Sequence, residues 1–287
     1  MPDFVASKDH LFDLQPTHNP NRYFLPVEDK LSVGPPGNLF LFGGVGLASS
    51  IRAIEQTTGR STVWAAAQYL SFARVGDIVD LDVLVPVHGK YNTQARVKVG
   101  SGRVSGVARV VGHVGDREIF TVNAALGERP SEYSVQWAEK PDVVPPTDCA
   151  PVDHWQEDRD DLHGRMDVRV VKGRYGEERK KGGLSEDGHV VLWARMREDL
   201  PMSSSALAVM ADFVPSAIGN AIGRDAGGNS LDNTIRIRKI VETEWVLLDI
   251  RIHGVHNGFA HGRMHLFAEN GELMASASQS LILRIRD

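Results

Sequence analysis

The run from Ser205 to Ser216, Ser-Ala-Leu-Ala-Val-Met-Ala-Asp-Phe-Val-Pro-Ser, is apolar nearly all round, and Asp212 is the one charge in it. A carboxylate taken out of water must be hydrogen-bonded, paired or protonated. Held in that way it is suited to take a proton from a water molecule as a general base. The structural alternative is a cap: Asp212 lies just ahead of Pro215, where a second short helix could begin. Other chemistry-bearing residues fit less well. His253, His256, His261 and His265 are close in sequence but lack the His-x-x-x-His or finger spacing of a zinc site, so strand histidines facing solvent are expected and no metal. Gly44-Val45-Gly46-Leu47-Ala48-Ser49 imitates a dinucleotide fingerprint but lacks the third glycine and a βαβ setting, so close helix–sheet packing is the expectation. No Gly-x-Ser-x-Gly elbow occurs. Cys149 lies in Pro145-Pro146-Thr147-Asp148-Cys149-Ala150-Pro151, which reads as a linker and not as the surroundings of a nucleophile.

The elements that must position these residues follow from apolar periodicity. Three serines, Ser203 to Ser205, offer N-cap oxygens for the helix carrying Asp212, and Pro215 should break or kink it near Val214. An earlier helix is expected from Asn38 to about Thr58, on Leu39, Phe42, Val45, Leu47, Ile51 and Ile54, with Gly59 as its stop. Tyr23 to Val27 can add an edge strand. Strands are expected over 63–74, 78–87, 91–99, 106–113 and 118–126, then over 166–171 and 189–196. After the Asp212 helix they resume over 230–240, 245–253, 258–267 and 273–286. Asn270-Gly271 is a two-residue hairpin turn. From Arg129 to Gly164, prolines among acidic residues suggest a surface linker that packs little core.

Composition narrows the rest. The chain has 287 residues and a net charge of −5, which speaks against general nucleic-acid binding. The N-terminus lacks a signal-peptide pattern, and no apolar run is read as the roughly 20 residues of a membrane span. One cysteine excludes an internal disulfide and fits a cytoplasmic setting.

The second half repeats the first: one long helix, then four or more strands. Laying one on the other sets Ser230 near Ala65 and Gln279 near Ala125. Asp212 then falls on the small and apolar residues around Gly43, Gly44 and Leu47. Three polar groups thus stand where the other half is apolar, which implies one site per pair of repeats, armed by the later half.

Five stretches, in this order, resemble the type II acyl-CoA thioesterases, double hotdog hydrolases. They are Phe42-Gly43-Gly44, Phe72-Ala73-Arg74-Val75-Gly76-Asp77, Ala211-Asp212, Ser230-Leu231-Asp232-Asn233 and Ala275-Ser276-Ala277-Ser278-Gln279. The resemblance spans roughly residues 25–130 and 166–287. It implies an α+β double hotdog, two tandem repeats each with a long helix wrapped by a curved antiparallel sheet. The expected layout is a repeat over 1–130, a linker over 131–165, and a second repeat over 166–287. It also implies hydrolysis of acyl-CoA to free fatty acid and CoA in fatty acid metabolism. The water would be held by Asp212, Ser230 and Gln279, with no cofactor, and the chain would form a homo-oligomer. Oxyanion donors are expected among backbone N–H groups near a helix start. Val45 stands where the family often has Gln, Val75 where it often has Pro, and Ser230 where it often has Thr; these bear on substrate range. Lys172 to Lys181 is a basic loop that either stays solvated or meets the phosphates of CoA. The alternatives are an enoyl-CoA hydratase of the same fold, whose Asn-Pro-x-His is missing after Asp212, and a non-catalytic acyl-CoA-binding module.

Overall fold

The computed structural model describes all residues except 1–10, 86, 89–91, 95–107, 153–158, 176, 177, 180, 199 and 287. Short strands β1 (Gln15–Pro16), β2 (Arg22–Pro26), β3 (Ser32–Val33) and β4 (Phe40–Leu41) precede helix α1 (Gly43–Thr58). Then come β5 (Thr62–Tyr69), β6 (Ile78–Leu84), β7 (Val87–His88), β8 (Asn92–Gln94), β9 (Ala108–Val114) and β10 (Arg117–Gly127). The later part holds β11 (Ala150–Pro151), β12 (Met166–Lys172) and β13 (His189–Met196), then helices α2 (Ser204–Met210) and α3 (Val214–Ile222). It ends with β14 (Ala226–Ile237), β15 (Val246–His256), β16 (Phe259–Ala268) and β17 (Leu273–Ile285). Of the strand expected over 91–99, only β8 lies within the described residues.

Among the described residues, fifteen strands join one antiparallel sheet. From the central β5–β14 pair, one arm runs β5, β10, β9, β6, β2 and the other β14, β17, β16, β15, β13. Both arms have the same chain order, strand–helix–four strands. They also share their irregularities. Val63 and Leu231 are each the extra residue of a bulge on the central pair, and Ile119 and Met274 each bulge near a hairpin tip. These bulges align the arms and correct the expected overlay. Gln279 corresponds to Ala124, Ser230 to Thr62, and it is Asn233 that corresponds to Ala65.

Helix α1 starts at Gly43, five residues after the expected Asn38, because Phe40–Leu41 is extended and paired with Ser32–Val33. It stops at Gly59, whose φ of 66° is left-handed and whose N–H donates to the Glu55 carbonyl. Ser203 caps α2, its hydroxyl accepting from Ala206 N–H at 3.1 Å. The break falls at Ala211–Phe213, earlier than Val214. Pro215 sits in the first turn of α3, where a missing N–H costs little. Together Ser204–Ile222 is apolar enough to cross a membrane by length (19 residues, mean hydropathy 1.4), contrary to expectation. Here 78% of that window is buried, against α1 and the sheet. Ser203→Ala should lower stability by about 1 kcal/mol, read as a lower midpoint in chemical denaturation at unchanged slope.

The linker expectation needs correcting. Ala138, Val143 and Cys149 pack on Val191, Trp193, Trp245, Leu247 and Phe267, a second apolar cluster. Trp193 Nε1 donates to the Val144 carbonyl at 3.0 Å, and the Gln136 side chain bonds Leu273 N–H and the Gly271 carbonyl. The segment is a strap that covers apolar sheet surface.

Candidate active site

Asp212 lies in the three-residue gap, Ala211 to Phe213, between α2 and α3, at 6% exposure. It does not cap α3: the N-cap residue is Phe213, and no side chain caps that end. The carboxylate instead collects donors from three distant segments. Gly44 N–H, in the first turn of α1, donates to Oδ2 at 2.7 Å. Gln279 Nε2 of β17 donates to Oδ1, and Ser230 Oγ of β14 donates to Oδ1 at 3.4 Å. Gln279 Nε2 also reaches Ser230 Oγ, at 3.2 Å. The three residues singled out in the sequence therefore meet around one carboxylate.

The bulge at Leu231 makes this meeting possible. Side chains alternate faces along a strand, so Ser230 and Asn233, three apart, would face opposite sides. An extra residue between them brings both to the face of Gln279: Ser230 stands opposite Leu281, Asn233 opposite Gln279.

Glycine is required at the start of α1. A Cβ on Gly43 would lie 2.8 Å from Asp212 Oδ2, and one on Gly44 would lie 2.8 Å from the Val209 carbonyl and 2.9 Å from Asp212 Cβ. Only a chain without side chains at both positions lets the helix start touch the carboxylate. Tyr69, whose hydroxyl donates to the Gly43 carbonyl at 2.8 Å, closes the other side.

Burial dominates the electrostatics. Desolvation raises the Asp212 pKa to about 7, although Gln279, the Gly44 N–H and Ser230 each favour the anion. No cation appears among the causes of its shift, so the carboxylate is held by hydrogen bonds alone. Burial and the nearby Asp212 charge push the Tyr69 phenol well above its usual range, leaving it a neutral donor.

Sequence reasoning missed three participants. Gly44 acts through its N–H, which no side-chain pattern reveals. Tyr69 sits at a strand end. Asn233 became visible only with the sheet register. The later half does not arm the site alone, since Gly44 and Tyr69, which belong to the earlier one, also hold it. Counting back from the left-handed glycines Gly59 and Gly223, Asp212 corresponds to Ala48, so Asp212, Asn233 and Gln279 each match an alanine.

The other candidates are placed elsewhere. Among the described residues no three His, Cys, Asp or Glu side chains converge as a metal site. Arg263 lies between His253 and His265, bonding both rings. Cys149 is buried, and burial raises its thiol pKa. In the basic loop, Lys172 pairs with Asp187, Arg179 with Asp225 and Lys181 with Glu178, while Arg174 donates to the carbonyls of Gly183 and Asn220.

Comparison with known proteins bears on the family and the fold. A family model for the acyl-CoA thioesterase C-terminal domain matches residues 146–283, which include Asp212, Ser230 and Gln279. A structure from Novosphingobium aromaticivorans, described as a thioesterase, is 32% identical, with 94% of this chain and 98% of that one covered and a TM-score of 0.78. A hotdog-fold protein of unknown function from Alicyclobacillus acidocaldarius is 16% identical over 97% of this chain and 98% of its own, with a TM-score of 0.79. An acyl-CoA thioesterase II from Mycobacterium marinum is 20% identical over 97% and 98%, with a TM-score of 0.70. No curated protein matches. With a full-length relative at 32% identity and the C-terminal domain matched over the residues that surround Asp212, the chain belongs to the acyl-CoA thioesterase family and has its hotdog fold.

Proposed function

We propose that the chain is a double hotdog, with repeats over 1–130 and 166–287 joined by the 131–165 strap, and that it hydrolyses acyl-CoA to a free fatty acid and CoA at Asp212, Ser230 and Gln279. The observation that carries this reading is the buried carboxylate held by neutral donors from both arms. A general base must be strong enough to take a proton yet ionised near neutral pH, and a pKa of about 7 meets both demands. Asp212 takes a proton as the water oxygen attacks the thioester carbon. The tetrahedral intermediate collapses, the C–S bond breaks, and the departing thiolate recovers that proton. Ser230 and the Gln279 amide orient the water. No acyl-enzyme forms. Leu207, Met210 and Phe213, fully buried beside Asp212, are the apolar surroundings among which the acyl chain would have to open a path.

The test is release of free thiol from a panel of acyl-CoAs. Turnover supports hydrolysis; binding without turnover would favour a binding module, and hydration of crotonyl-CoA a hydratase. The base must be ionised, so kcat/KM should rise about tenfold per pH unit below about pH 7 and level off above it. A flat profile from about pH 6 to 8 would remove Asp212 from that role. Ser230→Ala should slow turnover less than loss of the Asp212 carboxylate, because Gln279 still holds Oδ1.

A further inference from the structure

We propose that Asn233 is a further catalytic residue, its side-chain amide donating to the thioester carbonyl oxygen and to the oxyanion that forms there. This rests on the hydrolytic reading above. Asn233 stands directly opposite Gln279 on β17 and opposite Ala67 on β5. Directly paired residues face the same side, with Cβ atoms about 4.5–5.5 Å apart. Gln279 points at Asp212, so Asn233 lines the same face beside it. Its exposure is 0%, and neither Nδ2 nor Oδ1 has a hydrogen-bond partner within the protein. The Tyr69 hydroxyl donates to the Gly43 carbonyl; the Asn233 amide is near enough to act on the phenol as a donor and lower its pKa, but falls outside hydrogen-bond distance and angle. A buried amide without a partner is destabilising, and such groups recur where a ligand completes the bonding.

The neighbouring donors are already committed. Gly44 N–H, where an oxyanion donor was expected, is bonded to Asp212 instead, and Gln279 Nε2 is shared between Asp212 and Ser230. Gln279 Oε1 is buried without a partner too, but as an acceptor it suits a water hydrogen and not an anion. This yields a division of labour: Asp212 and Gln279 Oε1 hold the water, and Asn233 Nδ2 holds the carbonyl. In the other arm the equivalent residue is Ala65, as an arm without a reaction centre requires.

The experiment pairs two variants with two unreactive analogues. Asn233→Ala should lower kcat/KM about 10²-fold or more. Asn233→Asp, of the same shape, should lower it at least as far, because a carboxylate repels the oxyanion. A ketone analogue of acyl-CoA, with CH₂ for sulfur, keeps the carbonyl; a thioether analogue lacks it. Both variants should lose affinity for the ketone and keep it for the thioether, and the wild-type protein should bind the ketone more tightly. Wild-type turnover in either variant, equal losses for both analogues, or equal wild-type affinities would overturn the proposal. The wild-type analogue comparison does not depend on a variant folding. Absence of thiol release by the wild type would instead fail the hydrolytic reading, a result separate from the analogue affinities.

Discussion

Asp212→Asn should cost at least about 10²-fold in kcat and yet yield a more stable protein at pH 8. Both follow from one buried charge. Burial raises the carboxyl from 3.8 to about 7, so the folded state holds the proton more tightly than the unfolded chain does. Stability linked to this group is full below about pH 4, is lost as the pH rises towards 7, and stays lost above it. At about 1.36 kcal/mol per pKa unit the loss amounts to about 4 kcal/mol. Asparagine keeps the shape and carries no charge. It turns one acceptor into a donor, so one bond from Gly44 or Gln279 is sacrificed and only part of that energy returns. The variant should therefore melt above the wild type at pH 8, with the gap narrowing at pH 5. Thermal melts at the two pH values, beside initial rates, measure both effects. Retained turnover would return Asp212 to a structural role. A gap that does not change with pH would mean that the wild-type carboxylate ionises without penalty.

How legible the site was depended on what kind of group does the work. Asp212 stood out because a lone charge in an apolar run has few uses, and Ser230 and Gln279 emerged from comparing the two halves. The comparison slipped by three residues at Ser230 because nothing in the sequence marks the bulges at Val63 and Leu231, and those shared bulges are what align the two strands. Thr62 is therefore the counterpart of Ser230, and a hydroxyl is not what distinguishes the arms; the contrast lies in Asp212, Asn233 and Gln279 against three alanines. Gly43-Gly44 was visible as a motif, but the reason for it, an aspartate pressed against a helix start, needed α2 laid beside α1. The strap was misread for a related reason. Its prolines and acids look solvated, yet β13 is buried at six consecutive positions from His189 to Ala194. A continuous apolar run implies cover on both faces, and the 138–149 segment is that cover.

Gly44→Ala should also reduce kcat by about 10²-fold, although it leaves every proposed catalytic side chain in place. The added Cβ would sit 2.8 Å from the Val209 carbonyl and 2.9 Å from Asp212 Cβ, closer than packed atoms tolerate. The Phe42 ring, also met at 2.8 Å, can swing aside, but the Val209 carbonyl is backbone and Asp212 Cβ is fixed directly to it, so α1 and α2 must part or Asp212 must turn. Either movement breaks the 2.7 Å bond from Gly44 N–H to Oδ2, and misplacing a reacting group by about 1 Å can cost about 10²-fold. Overpacking should lower stability by about 1–3 kcal/mol as well, so a control must separate the two effects. Gly46→Ala supplies it: that Cβ meets the Phe120 ring at 3.0 Å, two residues on from Gly44 and turned away from the carboxylate. Gly46→Ala should lose stability and keep turnover at saturating acyl-CoA, whereas Gly44→Ala loses both. If the two variants lose activity in proportion to their stability, the glycine at position 44 serves only packing. If Gly44→Ala alone fails, the start of the first helix positions the base contributed by the second half, and neither half can work without the other.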